Sequence, residues 1–326
     1  IADPEWPNKV KAGKFDDIRA CIGCNDCLLG ILKGRLVQCA VNPTVGYENF
    51  TQLKPKNSDD KKILVVGAGI GGMEYAITAA KRGYNVTVWE KDTRIGGLGN
   101  AAAAPYMKAS VKNYVKYLDT QMKKYADKID VVCNKEATLD AIRAFAPDKI
   151  VIATGSTPAI PPIPGLKDNL KVSAATEYLL GKFAVKGNVL VIGAGLVGCE
   201  TALDLDHKGN KVVVAEMLGK IVAKDEINAN NEMKLSQLIL DSGLEMHFNT
   251  TVKSVNEKEA ILETSGKEFT VPYDNILVAA GTKANNKLAD ELYEYFDDVY
   301  IIGDANKPGR IMDAVHQGYA AANNMI

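Results

Sequence analysis

Cys21, Cys24, Cys27 and Cys39 stand in the spacing C-x2-C-x2-C-x11-C near the start of this 326-residue chain, and only Cys133 and Cys199 follow. Three cysteines at successive intervals of three can wrap one loop around three corners of an iron–sulfur cubane, and a more distant fourth closes it. A zinc ribbon more usually offers two separated CxxC knuckles, and no histidine lies nearby to complete a mixed site. The spacing therefore favours a [4Fe–4S] cluster, with zinc and disulfides as the alternatives.

Two glycine loops carry a second kind of chemistry. GAGIGG supplies Gly67, Gly69 and Gly72, and GAGLVG supplies Gly193, Gly195 and Gly198. In such a turn the first glycine permits a tight bend, the second lets backbone approach a pyrophosphate, and the third lets helix and strand pack closely. The helix that follows presents unpaired N–H groups and partial positive charge to the phosphates. Glu90 ends the next strand eighteen residues after Gly72, where a carboxylate can accept both ribose hydroxyls, and Glu216 stands likewise after Gly198. An acid at 216, followed by Met217 and Leu218 with no arginine in reach along the sequence, favours NADH over NADPH. An empty Rossmann unit, or one holding only an adenine nucleotide, is the plainer alternative. Two such sites on one chain suggest two dinucleotides, FAD and NAD(P)H.

The elements that must position these residues follow from the local pattern. KKILVVGAGIGG is an apolar run of strand length ending in glycines, MEYAITAAKRGY has helical spacing, and NVTVWEKD is a second strand, which together make a βαβ unit. GNVLVIGAGLVGCETALDLDHKGNKVVVAEM repeats that pattern about 126 residues later, which reads as two domains rather than a solenoid. Helices are expected over 108–126 and 226–241, short strands at KIDVVCN and DKIVIATGSTP, and a β-meander over 247–274. The proline-rich PAIPPIPGL reads as a crossover between domains. Residues 1–60 show little strand pattern and end in the polar linker KPKNSDDKK. The fold expected is α/β: two Rossmann-like domains preceded by a small irregular iron–sulfur segment.

Composition bounds the partners. Hydrophobic residues make up 47% and charged residues 24%, the balance of a globular protein, and the net charge of −1 gives no electrostatic reason to expect nucleic acid or an anionic membrane. No apolar run reaches the length of a membrane span, and the first twenty residues lack the apolar core of a signal peptide. The cytoplasm is the compartment these features suggest, where clustered cysteines more often hold metal than form disulfides. The chain opens on Ile1, and IADPEWPNKVKAG reads as the exit from an upstream segment. A homo-oligomer is left open.

The order GAGIGG, Glu90, IGG (95–97), ATG (153–155), GAGLVG, Glu216, AAG (279–281) and GD (303–304) resembles the two-dinucleotide-binding flavoprotein superfamily, which includes glutathione and thioredoxin reductases. The resemblance covers residues 62–326 and implies a discontinuous FAD domain, 61–157 and 273–326, with an NAD(H) domain at 158–272 inserted. It implies FAD contacts at Gly97, Thr154, Gly155 and Gly303, with Asp304 on the ribitol chain and the backbone near Met312 approaching the flavin ring. It implies Gly281 on the NAD side and Glu200 toward the nicotinamide. The paired redox cysteines of the disulfide reductases have no counterpart here, because Cys133 and Cys199 are far apart and form no CxxC. Both read as buried structural thiols, so the electrons of the flavin must leave by another route.

ADPEWPNK, DDIRACIGCNDC and CAVNPTVGYE in turn resemble the junction found in the 2,4-dienoyl-CoA reductase, 2-enoate reductase and trimethylamine dehydrogenase family. That resemblance implies an upstream TIM barrel of the old yellow enzyme type, which would bind FMN and an enoate- or enoyl-type substrate and carry the substrate's acid group. The cysteine spacing sits nearer the trimethylamine dehydrogenase version. The expected function is the electron-entry module of an NADH-dependent ene-reductase-like flavoenzyme. The alternatives are a trimethylamine dehydrogenase-like chain that holds only ADP, a non-catalytic metal- and nucleotide-binding assembly module, and an electron-feeding small subunit like that of glutamate synthase.

Overall fold

Ile63, Leu64, Val65 and Val66 are all buried, as a parallel strand covered on both faces requires. Successive side chains point to opposite faces. Ile63 and Val65 join one core with the helix Ile70–Lys81, whereas Leu64 and Val66 join another with Ile142, Ala289 and Leu292. Burying a Val, Leu or Ile side chain contributes about 1.5–3 kcal/mol, so this strand anchors both layers.

The computed structural model describes residues 1–56, 60–223 and 227–324. Linker residues 57–59, Glu226 at the head of the helix expected over 226–241, and the final residues of the 273–326 segment lie outside the described residues. The chain forms two units. One comprises residues 1–103, 109–157 and 283–326, and the other 104–108 and 158–282.

In the first unit five parallel strands lie in the order Val299–Ile301, Lys149–Ile152, Ile63–Val66, Val86–Trp89, Ile129–Val132. The strand bearing the glycine loop is central, and the chain order reverses on either side of it. Ligands bind at such a switch point, beyond the carboxyl ends of the strands. The helices Ile70–Lys81 and Ala109–Lys124 cover one face. The C-terminal helix Ile311–Asn323 crosses Ile70–Lys81 so closely that a Cβ on Gly318 would lie 2.5 Å from the Gly71 carbonyl oxygen.

Residues 1–56 belong to this first unit rather than standing apart. Cys39 and Val41 are buried in its core, and Asp17 binds Gln121 and Lys124 of the helix Ala109–Lys124 at 2.9 and 2.8 Å. The irregular character expected for the segment is present as short helices, Trp6–Lys11 and Asp26–Leu32, joined by turns.

The second unit repeats the plan. Its parallel strands lie in the order Val172–Ala174, Asn275–Val278, Asn188–Ile192, Lys211–Ala215, Glu245–His247. The helix Leu196–His207 packs on one face, through Val189, Val191, Cys199 and Leu203. On the other face Leu190, Ile192, Ile276 and Val278 pack against the antiparallel meander Thr250–Val255, Glu259–Thr264, Lys267–Pro272. The second crossing falls at 282/283, where the sequence reading put it at 272/273. Asn275–Val278 pairs with Asn188–Ile192, so that strand stays with the second sheet.

A second difference concerns Cys133. The strand ends at Val132, which leaves this thiol just past it and partly exposed rather than buried. Cys199 is fully buried, as expected.

The packing at the glycine loops yields a test. A Cβ on Gly72 would lie 2.0 Å from the Gly67 carbonyl oxygen, and one on Gly198 would lie 2.0 Å from that of Gly193. Gly72→Ala and Gly198→Ala are each expected to cost about 1–3 kcal/mol of stability through overpacking, measured by chemical denaturation. Gly219→Ala, where the backbone is not left-handed and the nearest atom to a Cβ is 3.4 Å away, controls for the loss of a glycine alone.

Candidate functional site

Each glycine loop is tied shut by a carboxylate from the neighbouring strand. Glu90 Oε2 accepts a hydrogen bond from the Ala68 N–H at 2.8 Å, and its Oε1 accepts from the Asp92 N–H at 2.8 Å. Glu216 does the same in the second unit, accepting from Ala194 at 2.6 Å and from Leu218 at 2.7 Å. Both carboxylates are buried, at 7% and 8% exposure, yet each oxygen keeps a lone pair for a ligand hydroxyl.

The bends themselves need glycine. Gly67 has φ 101° and Gly193 φ 106°, and a Cβ at either would collide with the carbonyl of Ala153 or Ala279 on the adjacent strand. Gly69 and Gly195 then cap the helices Ile70–Lys81 and Leu196–His207, neither of which has a side-chain cap. The N-terminus of a helix begun in this way is where phosphate oxygens are bound. A Cβ at Gly69 would meet nothing within 4 Å, so the backbone there faces open space.

Several residues that the flavoprotein resemblance placed at the FAD come together in the first unit. Gly97 lies against the loop, where a Cβ would sit 3.1 Å from the Gly69 Cα. The Thr154 hydroxyl donates to the Asn285 carbonyl, and Gly155 has φ 74° with open space beside it. Asp304 accepts from the Ser156 hydroxyl and the Gly309 N–H, both at 3.1 Å. Burial pushes its carboxyl up from the usual 3.8, against the lowering effect of the Gly309 and Ser156 bonds. Gly303 donates its N–H to Gln317 Oε1 at 2.9 Å, and Met312 begins the same C-terminal helix, half-buried.

In the second unit Glu200 forms an ion pair with Lys108. Lys108 belongs to the 104–108 excursion, where Tyr106 also stacks on His207 at 4.1 Å. Sequence reasoning missed Lys108, because nothing in APYMK signals that a piece of the first stretch joins the second unit. The second unit contains no arginine at all, which removes the usual partner of a 2′-phosphate. Gly281, with φ 94° and open space at its Cβ, follows the strand next to the second loop.

The cysteine segment is built from turns. Gly23 and Asn25 take left-handed conformations, with φ 68° and 58°, and so bend the loop between Cys21, Cys24 and Cys27. No disulfide joins any of the four cysteines, of which Cys21 is exposed and Cys39 buried. Burial pushes Cys39 up, and the Cys21 and Cys27 sulfurs add to this, while the Val41 and Asn42 N–H groups point at its sulfur and act the other way. Burial likewise pushes Cys24 up to about 12, with the Asp26 N–H opposing and the Asp26 carboxylate and Cys39 reinforcing. Cys39 thus lies within electrostatic reach of Cys21, Cys24 and Cys27.

Among the described residues no group of three or more His, Cys, Asp or Glu side chains is arranged to hold a single metal ion. A cubane spreads its ligand sulfurs farther apart than one zinc ion, which holds each about 2.3 Å away. Cysteines outside any disulfide, with Cys39 in electrostatic reach of the other three and with backbone N–H groups directed at Cys24 and Cys39, suit such a cluster.

No helix among the described residues is long and apolar enough to cross a membrane. Residues 61–318 match the pyridine nucleotide-disulphide oxidoreductase family. The chain is 36% identical over 99% of its length to the NADH oxidase of Thermoanaerobacter brockii, and 34% identical over its whole length to the cinnamate reductase of Clostridium sporogenes. A solved 2-naphthoyl-CoA reductase superposes with TM-score 0.94 at 33% identity, covering 99% of the chain. The chain spans only about half of each of these relatives, at 50%, 48% and 49%.

Asp304 gives a pH test. Its native carboxyl titrates above 3.8, so the folded state binds its proton more tightly than the unfolded chain. The resulting stability is present at low pH and is lost as pH rises through the native value. Asp304→Asn is expected to flatten the pH dependence of apoprotein unfolding above pH 3.8 and to weaken FAD retention about tenfold. Denaturation across pH and equilibrium dialysis of FAD measure the two effects.

Proposed function

Because the chain belongs to the pyridine nucleotide-disulphide oxidoreductase family, we propose that it is the electron-entry module of an NADH-dependent flavin and iron–sulfur oxidoreductase of the ene-reductase type. Family membership makes it a flavoprotein oxidoreductase, with FAD and NAD(P)H as its dinucleotides. In the proposal NADH supplies a hydride to FAD, and the pair leaves as single electrons through a [4Fe–4S] cluster to FMN in a barrel domain outside this chain.

The residues divide the work. Gly67, Gly69, Gly72 and Glu90 hold the adenosine pyrophosphate half of FAD, while Gly97, Thr154, Gly155, Gly303, Asp304 and the backbone at Met312 hold its flavin half. Gly193, Gly195, Gly198, Glu216 and Gly281 hold NADH, and Glu200 with Lys108 stands toward the nicotinamide. Cys21, Cys24, Cys27 and Cys39 ligate the cluster. The enoate- or enoyl-type substrate and its proton donor belong to the barrel. The protein works in the cytoplasm.

One observation carries the reading. Four cysteines outside any disulfide, three of them within electrostatic reach of Cys39, share a chain with two dinucleotide loops, while the only other cysteines, Cys133 and Cys199, lie in different units and form no redox pair. Electrons that reach the flavin thus have an acceptor in the cluster and none in a disulfide.

Anaerobic titration of the intact protein tests it. NADH is expected to bleach the flavin and to raise the electron paramagnetic resonance signal of a reduced cluster, with about four iron and four labile sulfide per chain. Flavin unbleached at saturating NADH would mean that the second loop holds only an adenine nucleotide. Zinc without labile sulfide would remove the electron acceptor altogether.

Glu216 sets the cofactor preference by repelling a 2′-phosphate. Glu216→Ser is expected to lower the NADH-over-NADPH ratio of kcat/KM for flavin reduction about tenfold, roughly 1.4 kcal/mol. An unchanged ratio would assign the preference elsewhere.

A further inference from the structure

Two neighbouring residues of the C-terminal helix hold the two cofactor-bearing loops of the first unit. Gln317 Oε1 accepts from the Gly303 N–H at 2.9 Å, in the turn that presents Asp304. His316 Nε2 lies 2.9 Å from the Cys39 carbonyl oxygen. A carbonyl can only accept, so that nitrogen carries the proton and donates it. Nearly two turns earlier, at the helix N-cap, Arg310 Nη1 donates to Asp26 Oδ1 at 3.0 Å, and the Asp26 carboxylate is only 10% exposed. Asp26 stands between Cys24 and Cys27, and its N–H points at the Cys24 sulfur. The helix therefore grips both the three-cysteine loop and the separate fourth cysteine.

The gripping element is itself fixed. The Arg310 N–H is held by Asp313 Oδ2 at 2.7 Å in a capping box. Farther along, Gly318 lies against the Gly71 carbonyl with no room for a Cβ, and Gly71 stands in the first turn after the glycine loop. A shift of this helix would move the Gly303–Asp304 turn and both halves of the cysteine set together.

We propose that the C-terminal helix is a brace that sets the separation of flavin and cluster, with His316 and Arg310 as positioning residues for the cysteine loop. The proposal rests on reading Cys21, Cys24, Cys27 and Cys39 as cluster ligands. Electron transfer falls steeply with distance, so two loops bound to adjacent residues of one rigid helix keep donor and acceptor at constant spacing. Bonds of this kind behind the ligands also orient them, and their loss typically weakens metal sites by about 10–100-fold.

The test uses the intact protein purified without oxygen, comparing His316→Leu, His316→Gln, Arg310→Met and Arg310→Lys. FAD content and the rate of flavin bleaching by NADH report folding and the entry step, and both are expected to stay within about twofold of wild type. In His316→Leu and Arg310→Met, iron release to a chelator is expected to accelerate about tenfold. Re-oxidation of reduced flavin by the cluster is expected to slow, with an altered resonance line shape of the reduced cluster. His316→Gln keeps a donor for the Cys39 carbonyl and Arg310→Lys keeps the cation for Asp26, so both are expected to lie near wild type. Leu and Met variants indistinguishable from wild type in iron release and line shape would overturn the brace, and so would Gln and Lys variants as impaired as they are. Wild-type protein without iron and labile sulfide would instead sink the cluster assignment, and the brace with it. Intact wild-type cluster with silent variants sinks the brace alone.

Discussion

The bond from a main-chain N–H in the glycine turn to a carboxylate on the next strand fixes the geometry of each dinucleotide site. Ala68 to Glu90, and Ala194 to Glu216, pin the turn to the neighbouring strand end. With the turn pinned, Gly69 and Gly195 start their helices at the open end of the sheet, with the first N–H groups directed outward. The close packing of Gly72 on Gly67, and of Gly198 on Gly193, follows from the same bend. Remove the carboxylate and the turn loses its closure, together with the group proposed to read the ribose. One side chain therefore links local backbone shape and helix direction and, in the proposed function, ligand choice.

The two loops were legible in the sequence because each requirement is local. A turn with φ near 100° demands glycine, a helix packed against its strand demands another, and an apolar run of strand length precedes both. The parallel sheets followed from that repeat. What was not legible depends on residues far apart in sequence. The pairing of Asn275–Val278 with Asn188–Ile192, which moved a boundary by ten residues to 282/283, is set by sheet order and not by local pattern. The docking of residues 104–108 beside Glu200 and His207 is a tertiary choice that APYMK does not announce. Cys133 misled for the opposite reason: a strand-like run suggested burial, but the strand stops one residue short.

The cysteine segment shows how far spacing alone reaches. It picks out three candidate ligands on one loop and a fourth at a distance, but it says nothing of what holds those pieces in place. That part is supplied from the far end of the chain, by Arg310 and His316. Burial raises the Cys24 and Cys39 thiols, so neither sulfur favours the thiolate unless a positive group arrives. The backbone N–H groups of Asp26, Val41 and Asn42 pull the other way, and they are already aimed at the sulfurs.

The two units share a plan but differ at one position that bears on what each must do. In GAGIGG the residue before the last glycine is Gly71, and the C-terminal helix fills the space beside it, with Gly318 against its carbonyl. In GAGLVG the same position is Val197, which remains 43% exposed. A small residue at 71 leaves room for the crossing, where a Cβ would already lie 3.4 Å from the Ala314 carbonyl oxygen, and the larger valine would crowd it. The first loop is therefore backed by a helix that also carries Met312 and supports the Gly303–Asp304 turn, so residues remote in sequence close around one site. The second unit has no such crossing at its loop among the described residues. The first arrangement suits a group that stays bound and the second a dinucleotide that exchanges in each cycle, in keeping with the FAD and NADH sites proposed for the two loops.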